Sequence, residues 1–568
     1  MRLAAKGAAL ALSVLCASNV SADTLQMGVA GAYLAARQAA ADNDYAAAVK
    51  YYRQALARDS ANHAHMENAL SAHLALGQFA PAATLGARML ATGSPSQVAH
   101  MTVVADEGLR GDYESMIAGF EAGTRVGPLV DSLIHGWALL GAGRTEDALR
   151  AFDSVADREG LRPFALHHKA LALAYLGDFE GAEEILSGRA SGAIPDNRRG
   201  LITRVMVLSE LDQNALARAE IARVAGTALD ARLRDLDRRL AAGEPLSFTD
   251  VTEPVHGMAE VFYTVAAALD GEAADSYALL YARLAEVLKP GHVDALMLSA
   301  EYLERLGRPG LATATYDRVP QTAPEFIAAE LGRADALYTA KRGEAAVEAL
   351  RQLSKAHPEI STIPIKLGDT LRRLERYGEA AKAYTTGLSL IERIDDRHWF
   401  TFFARGISHE REGNWDAAES DFRRALEMRP DQPQVLNYLG YSLVEQNMKL
   451  REALEMIQTA AELRPDNGHI LDSLGWVLYR LGRYDEAVAP MEAAVELMAT
   501  DPIINDHLGD VYWSVGRRTE AHFQWQRALS FDPEEDEADR IRRKLDVGLD
   551  VVYQEEGFVR IELANDEG

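Results

Sequence analysis

The stretch Leu471-Asp472-Ser473-Leu474-Gly475-Trp476-Val477-Leu478-Tyr479-Arg480, with Gly482-Arg483-Tyr484-Asp485-Glu486-Ala487 after it, decides the fold. Leu471, Leu474, Leu478 and Leu481 recur at three- and four-residue spacing, which is one face of an α-helix. Ala487, Met491 and Ala494 repeat that spacing in a second helix. Gly475 and Ala487 carry no bulk where the two helices cross, so their backbones can approach closely. Pro465 and Pro533 lack an amide proton and crowd the preceding turn, which stops a second helix before the next unit begins. One hairpin cannot bury its own apolar face. Neighbours must stack on it.

Those neighbours are legible in both directions. The Gly475 position recurs as Ala266, Ala300, Ala334, Gly368, Gly406, Gly440, Gly475 and Gly509, in steps of 34, 34, 34, 38, 34, 35 and 34. Upstream the rhythm is looser, through Ala36, Leu70, Val104, Gly136, Ala170 and Val205. Small second anchors stand at Ala48, Ala82, Ala148, Ala182 and Ala217, and glycine marks the mid-repeat turn at Gly77, Gly111, Gly143 and Gly177. The expected fold is all-α: an α-α superhelical solenoid of about fourteen hairpins in two sub-arrays, with a long concave wall.

Leu439-Gly440-Tyr441, Leu474-Gly475-Trp476 and Gly482–Ala487 carry a resemblance to the tetratricopeptide repeat (TPR) family, which covers nearly all of residues 30–533. The resemblance implies binding of extended peptides along the concave wall. Counted from the anchor glycines, the inner-facing positions include Asn437, Tyr441, Asp472, Trp476, Tyr479, Arg480, Asp506, Asp510 and Trp513. Aromatic planes supply contact area at small entropy cost, and asparagine can bond a peptide backbone. The competing reading is that Trp476 and Trp513 fill gaps between helices. Some family members clamp a terminal carboxylate with lysines and asparagines; aspartates stand at the equivalent C-terminal positions here, so that activity is not carried over. An acidic groove would prefer basic or neutral segments.

Two stretches break the rhythm. Leu233, Leu236 and Leu240 mark one helix, and Gly243-Glu244-Pro245 and Thr252-Glu253-Pro254 then favour an extended connector. The expected organisation is a signal peptide (1–22), an N-terminal sub-array of about six units (23–227), a joint (228–257), a C-terminal sub-array of eight units (258–533), and a capping helix with an acidic, mobile tail (534–568).

Arg2 and Lys6, the apolar run Ala8–Ala17 and the small residue Ala22 fit a leader cleaved before Asp23, and hence a periplasmic protein. An alternative makes Cys16 a lipid-acceptor cysteine of an outer-membrane lipoprotein, although Leu15 and Ser13 fit such a cleavage box poorly. The last three repeats resemble long-array bacterial TPR lipoproteins that serve as adaptors for a carboxy-terminal processing protease. The expected partners are therefore protein or peptide segments, such as a periplasmic protease or an envelope assembly factor.

Composition narrows the alternatives. Across 568 residues, 48% are hydrophobic and 25% charged, as in ordinary folded proteins. A net charge of −26 argues against nucleic acid, and one cysteine removes disulfide frameworks and cysteine metal cages. Gly141-Ala142-Gly143-Arg144-Thr145 falls on a repeat turn, not on a phosphate loop, and His409-Glu410-Arg411-Glu412 lacks the second histidine of a zinc protease. His63, His65, His167 and His168 read as surface residues, because their spacings do not put two imidazoles on one helical face. The expectation is a non-enzymatic scaffold: no catalytic residue, no cofactor and no metal. The alternatives are a scaffold for envelope polysaccharide or outer-membrane protein assembly and, last, an enzyme with appended repeats.

Overall fold

The computed structural model describes residues 29–123, 126–190, 192, 197–226 and 229–557. The expected leader, its cleavage site at Ala22, Cys16, and Asp566 and Glu567 of the tail lie outside the described residues. Within them the chain folds as fourteen consecutive helical hairpins, from Val29–Ala41 with Tyr45–Leu56 to Pro502–Ser514 with Arg518–Leu529. A single helix, Ala231–Ala241, interrupts the series, and a helix pair, Glu535–Val547 and Leu549–Glu556, ends it. No strand occurs among the described residues.

The anchors sit where their size requires. Ala36, Ala170, Ala266, Ala300 and Ala334 are fully buried on first helices. A Cβ on Gly136, Gly368, Gly406 or Gly509 would come within 2.4–2.7 Å of Phe152, Tyr384, Phe422 or Trp525 respectively. Each of those rings stands sixteen residues after its glycine, on the second helix of the same hairpin. The small residue is thus the socket for a large one across the helix crossing. The mid-repeat turn demands a left-handed backbone: φ is +73° at Gly77, +69° at Gly111, +77° at Gly143 and +83° at Gly177. In other repeats Asn43, Asp212, Lys341 and Glu375 take the same strained conformation without a glycine.

The chain divides into two compact units, residues 1–346 and 347–568. In the first, one continuous core runs from Ala36 to Ala336. Helices Pro254–Ala268 and Asp275–Leu288 of the seventh repeat pack back against first helices of earlier repeats: His63–Ala75, Gln97–Arg110, Pro128–Gly141 and Arg162–Tyr175. Gly257 lies flat on the Trp137 indole, Met258 covers Gly108, and Tyr277 Oη donates to Gln97 Oε1 (2.8 Å). The stretch expected to be a joint therefore lies inside one compact unit. It is pinned there: Leu246 N donates to Ser209 Oγ, Thr203 Oγ1 donates to buried Asp250, and Arg199 binds Glu260 and Asp294 just beyond it. Burial opposes ionisation of Glu260, yet Arg199, His292 and Lys289 together outweigh it and hold the carboxyl well below its usual range.

Two smaller expectations fail. His65, His167 and His168 are buried, and His168 Nδ1 accepts from Trp137 Nε1 at 3.1 Å. Burial pushes the His168 imidazole down to about 3, so it packs as a neutral ring. The two-residue and adjacent spacings separate the rings on one helix, but neighbouring helices on both sides bury them all the same. Glu555 and Glu556 are not a mobile tail; they lie on the last helix, paired with Arg543 and Arg540.

Candidate partner-binding wall

In the second unit five first helices follow one another: Thr362–Arg373, Trp399–Arg411, Pro433–Glu445, Gly468–Arg480 and Pro502–Ser514. Equivalent positions on them are Asp369, Ile407, Tyr441, Trp476 and Asp510, each one residue after an anchor glycine.

At its C-terminal end this wall is already occupied. Helix Glu535–Val547 places the fully buried Lys544 Nζ against Asp510 (2.7 and 2.8 Å) and Asp506 (2.9 and 2.7 Å). Asp510 Oδ1 also accepts from Trp525 Nε1 (2.9 Å). Burial raises the Asp510 carboxyl against the pull of Lys544. From the last helix, Tyr553 meets Tyr479 hydroxyl to hydroxyl (2.9 Å), Asp550 accepts from Trp513 Nε1 (3.1 Å), and Gly548 rests on the Trp513 ring. Four of the nine expected contacts, Tyr479, Asp506, Asp510 and Trp513, are thus spent on the chain's own C-terminal hairpin. They are corrected to packing and ion-pair residues. A buried carboxylate needs a cation, and the sequence supplies one internally.

The middle of the wall is a stack. The Trp476 indole lies between His507 (4.1 Å, 16°) and Tyr479 (5.1 Å, 13°). Its Nε1 donates to Glu445 (3.2 Å), which also accepts from Arg480 (2.9 Å). Asp472 holds the His507 Nδ1 at 2.9 Å. Burial works to discharge that imidazole, but the charge and hydrogen bond of Asp472 outweigh it and lift the pKa above the ordinary histidine value. Trp476 is 9% exposed, so the gap-filling reading describes it.

The N-terminal end is different. Helices Thr362–Arg373, Trp399–Arg411 and Pro433–Glu445 pack against their own hairpin partners and adjoining repeats. Trp399, Phe400, Phe403, Phe422 and Tyr438 form one aromatic cluster with ring centroids 5.4–6.3 Å apart. Phe400 in that cluster is 43% exposed. One repeat on, Asn437 Oδ1 is buried with no hydrogen-bond partner, and Tyr441 is half-buried. Burial, and then the Glu445 charge, raise the Tyr441 hydroxyl, which therefore stays protonated as a donor.

Counting positions missed Phe400, Glu445, His507, Lys544 and Tyr553. The signal for Lys544 was present: it stands 34 residues after Asp510, as Arg540 does after Asp506. Helix Glu535–Val547 thus continues the register as the first helix of one more unit, with cations where preceding units have aspartates. His507 and Glu445 gave no such signal, because they act across neighbouring repeats. Among the described residues no group of three or more His, Cys, Asp or Glu side chains could hold a metal ion, and no helix is long and apolar enough to cross a membrane.

The tetratricopeptide repeat family model matches residues 33–97, 135–193, 331–389, 403–448 and 446–502. A TPR repeat-containing protein of Pseudomonas aeruginosa is 27% identical over 177 residues, which are 30% of this chain and 29% of that protein. The chain thus spans under a third of that relative. Among solved structures, the APC/C hetero-tetramer Cut9–Hcn1 aligns over 92% of this chain and 96% of its own at 14% identity (TM-score 0.37). YrrB, described as a TPR protein with an unusual peptide-binding site, aligns over 35% of this chain and 99% of its own at 20% identity (TM-score 0.28).

Proposed function

The chain is a tetratricopeptide repeat protein, and from that premise we propose that it is a non-enzymatic scaffold that binds an extended polypeptide along the open part of the wall in its second unit. The observation that carries the reading is the unpartnered Asn437 Oδ1 on the first helix that follows, one repeat on, the one bearing the exposed aromatic Phe400. A buried amide oxygen without a donor costs free energy, and a peptide N–H arriving at the wall would satisfy it. Phe400 and Tyr441 offer ring faces to the side chains on either side. Asp506, Asp510, Tyr479 and Trp513 have no part in this site.

Phe400→Ala with Asn437→Ala is expected to lower affinity for peptides selected on the full chain by about tenfold or more, a loss of about 1.4 kcal/mol or more. The melting curve should move less than the affinity, because Phe400 is 43% exposed and the Asn437 amide oxygen has no hydrogen bond to lose. Unchanged affinity, read by fluorescence polarisation, would remove the wall from the account.

The envelope setting is part of the same proposal and rests on the leader-like residues Arg2, Lys6, Ala8–Ala17 and Ala22. Fusion of residues 1–30 to a reporter tests it; a reporter kept in the cytoplasm would refute it. Within the envelope, an adaptor for a processing protease and a scaffold for polysaccharide or outer-membrane assembly are separated by which class of protein binds in stoichiometric amount and is lost with the Phe400 and Asn437 substitutions.

A further inference from the structure

In the first unit a cavity of about 470 Å³ opens where the second repeat meets the seventh and eighth. Leu74 and Phe79 wall it from one side, Val287 and Leu311 from the other, and Ala314 and Pro290 stand exposed at its rim. Its size lies in the range of small-molecule sites.

Charged groups share this lining with the apolar ones. Arg283 is buried, and its Nη1 donates to both oxygens of Glu286, at 3.1 Å each. Its Nε is buried with no partner. Arg318, at the solvent side, also pairs with Glu286. Two guanidinium groups therefore share one carboxylate, which leaves an excess of one positive charge at an apolar cavity. The half-exposed Arg318 guanidinium is the donor a ligand in the cavity would meet first.

We propose that this cavity binds a monoanion with an aliphatic body, namely an aliphatic carboxylate. The single excess charge matches a single negative charge; a phosphate dianion would bring a second charge against Glu286. The planar fork of a guanidinium fits a carboxylate better than a point anion. Leu74, Phe79, Val287 and Leu311 would take the hydrocarbon. The ligand would touch the second and eighth repeats together; the first repeat also reaches the eighth, where Asn43 Nδ2 donates to Leu306 O (3.3 Å). Occupancy would therefore stiffen the closure of the first unit. The inference is independent of the peptide wall in the second.

The carboxylate could belong to a free fatty acid or to the last residue of a peptide. Calorimetry on the full chain with octanoate, octanol, octyl phosphate, Ala-Leu and Ala-Leu-amide separates the two. Octanoate binding about tenfold tighter than octanol and octyl phosphate supports the site with a fatty acid as source. Ala-Leu binding about tenfold tighter than its amide supports it with a peptide terminus. Arg318→Gln, on an exposed side chain, should weaken the preferred acid severalfold. Ala314→Trp, at the rim, should abolish binding with the circular dichroism unchanged. No carboxylate binding, equal binding of acid and neutral analogue, or binding that survives Ala314→Trp would overturn the proposal.

Discussion

The two compact units use one repeat and do opposite things with its inner wall. In the first, the seventh repeat lies against the first helices of the second to fifth repeats, so wall becomes core: Trp137, on that wall, is fully buried under Gly257. In the second, among the described residues, the wall is covered at its C-terminal end, by charged contacts to Lys544 and hydroxyl contacts to Tyr553. The difference teaches that a repeat of this kind does not fix what its concave face is for. An apolar face covered by an apolar helix is structure. A face that keeps an unpartnered amide and an exposed ring is available to someone else.

The largest effect is expected where the covering is ionic. Lys544→Ala leaves Asp506 and Asp510 facing each other in a buried site with Arg540 3.7–3.9 Å away as the nearest remaining cation. Breaking one side of a buried pair costs about 3–5 kcal/mol. Five of the six tryptophans, Trp399, Trp415, Trp476, Trp513 and Trp525, lie in the second unit, so tryptophan emission during urea unfolding reads that unit. Lys544→Met with Asp506→Asn and Asp510→Asn should recover much of the loss, because no charge is then stranded. A loss under about 1 kcal/mol for Lys544→Ala would mean that the C-terminal hairpin is a loose cover.

A somewhat smaller effect is expected where the covering is apolar. A Cβ on Gly257 would lie 2.2 Å from the Trp137 ring, which is walled in and cannot step aside. Gly257→Leu should destabilise the first unit by about 1–3 kcal/mol through overpacking. Faster hydrogen exchange in Pro128–Gly141 and Pro254–Ala268, with the second-unit emission transition unmoved, is the expected signature. If both transitions shift, the two units do not unfold separately.

Much of the fold was legible because its determinants are local and periodic. The anchors from Ala36 to Gly509 all fall on first helices, and the prolines at 465 and 533 follow helix ends at Leu463 and Leu529. What could not be read is what returns from a distance. Nothing in Gly257 announces that its partner is Trp137, 120 residues earlier, and nothing in His168 announces Trp137 as a donor. The wall residues were legible as positions on helices and not as a free surface. Position follows from the 34-residue period, whereas exposure depends on what the chain's other end lays over it. Asn437 and Tyr441 stand in the uncovered stretch; Asp510 does not.

The smallest effect concerns the boundary between covered and uncovered wall, where His507 stacks on Trp476 and binds Asp472. Asp472 holds the folded-state pKa of His507 above its ordinary value of 6.5, despite burial. A histidine raised on folding contributes stability that is fully present below its unfolded pKa and is lost as pH rises through its folded pKa. The second unit should therefore lose stability as pH rises above about 6.5, the ordinary histidine value. Other histidines titrate nearby: His409, on helix Trp399–Arg411, is lowered by burial and contributes the opposite slope. The decisive quantity is thus the difference between the native chain and His507→Gln, measured by emission-monitored unfolding at pH 6, 7 and 8. The native chain should be favoured over His507→Gln at pH 6 and lose that advantage progressively as pH rises. A difference independent of pH would show that Asp472 binds a neutral imidazole, and the covered end would then join the uncovered one without a charge between them.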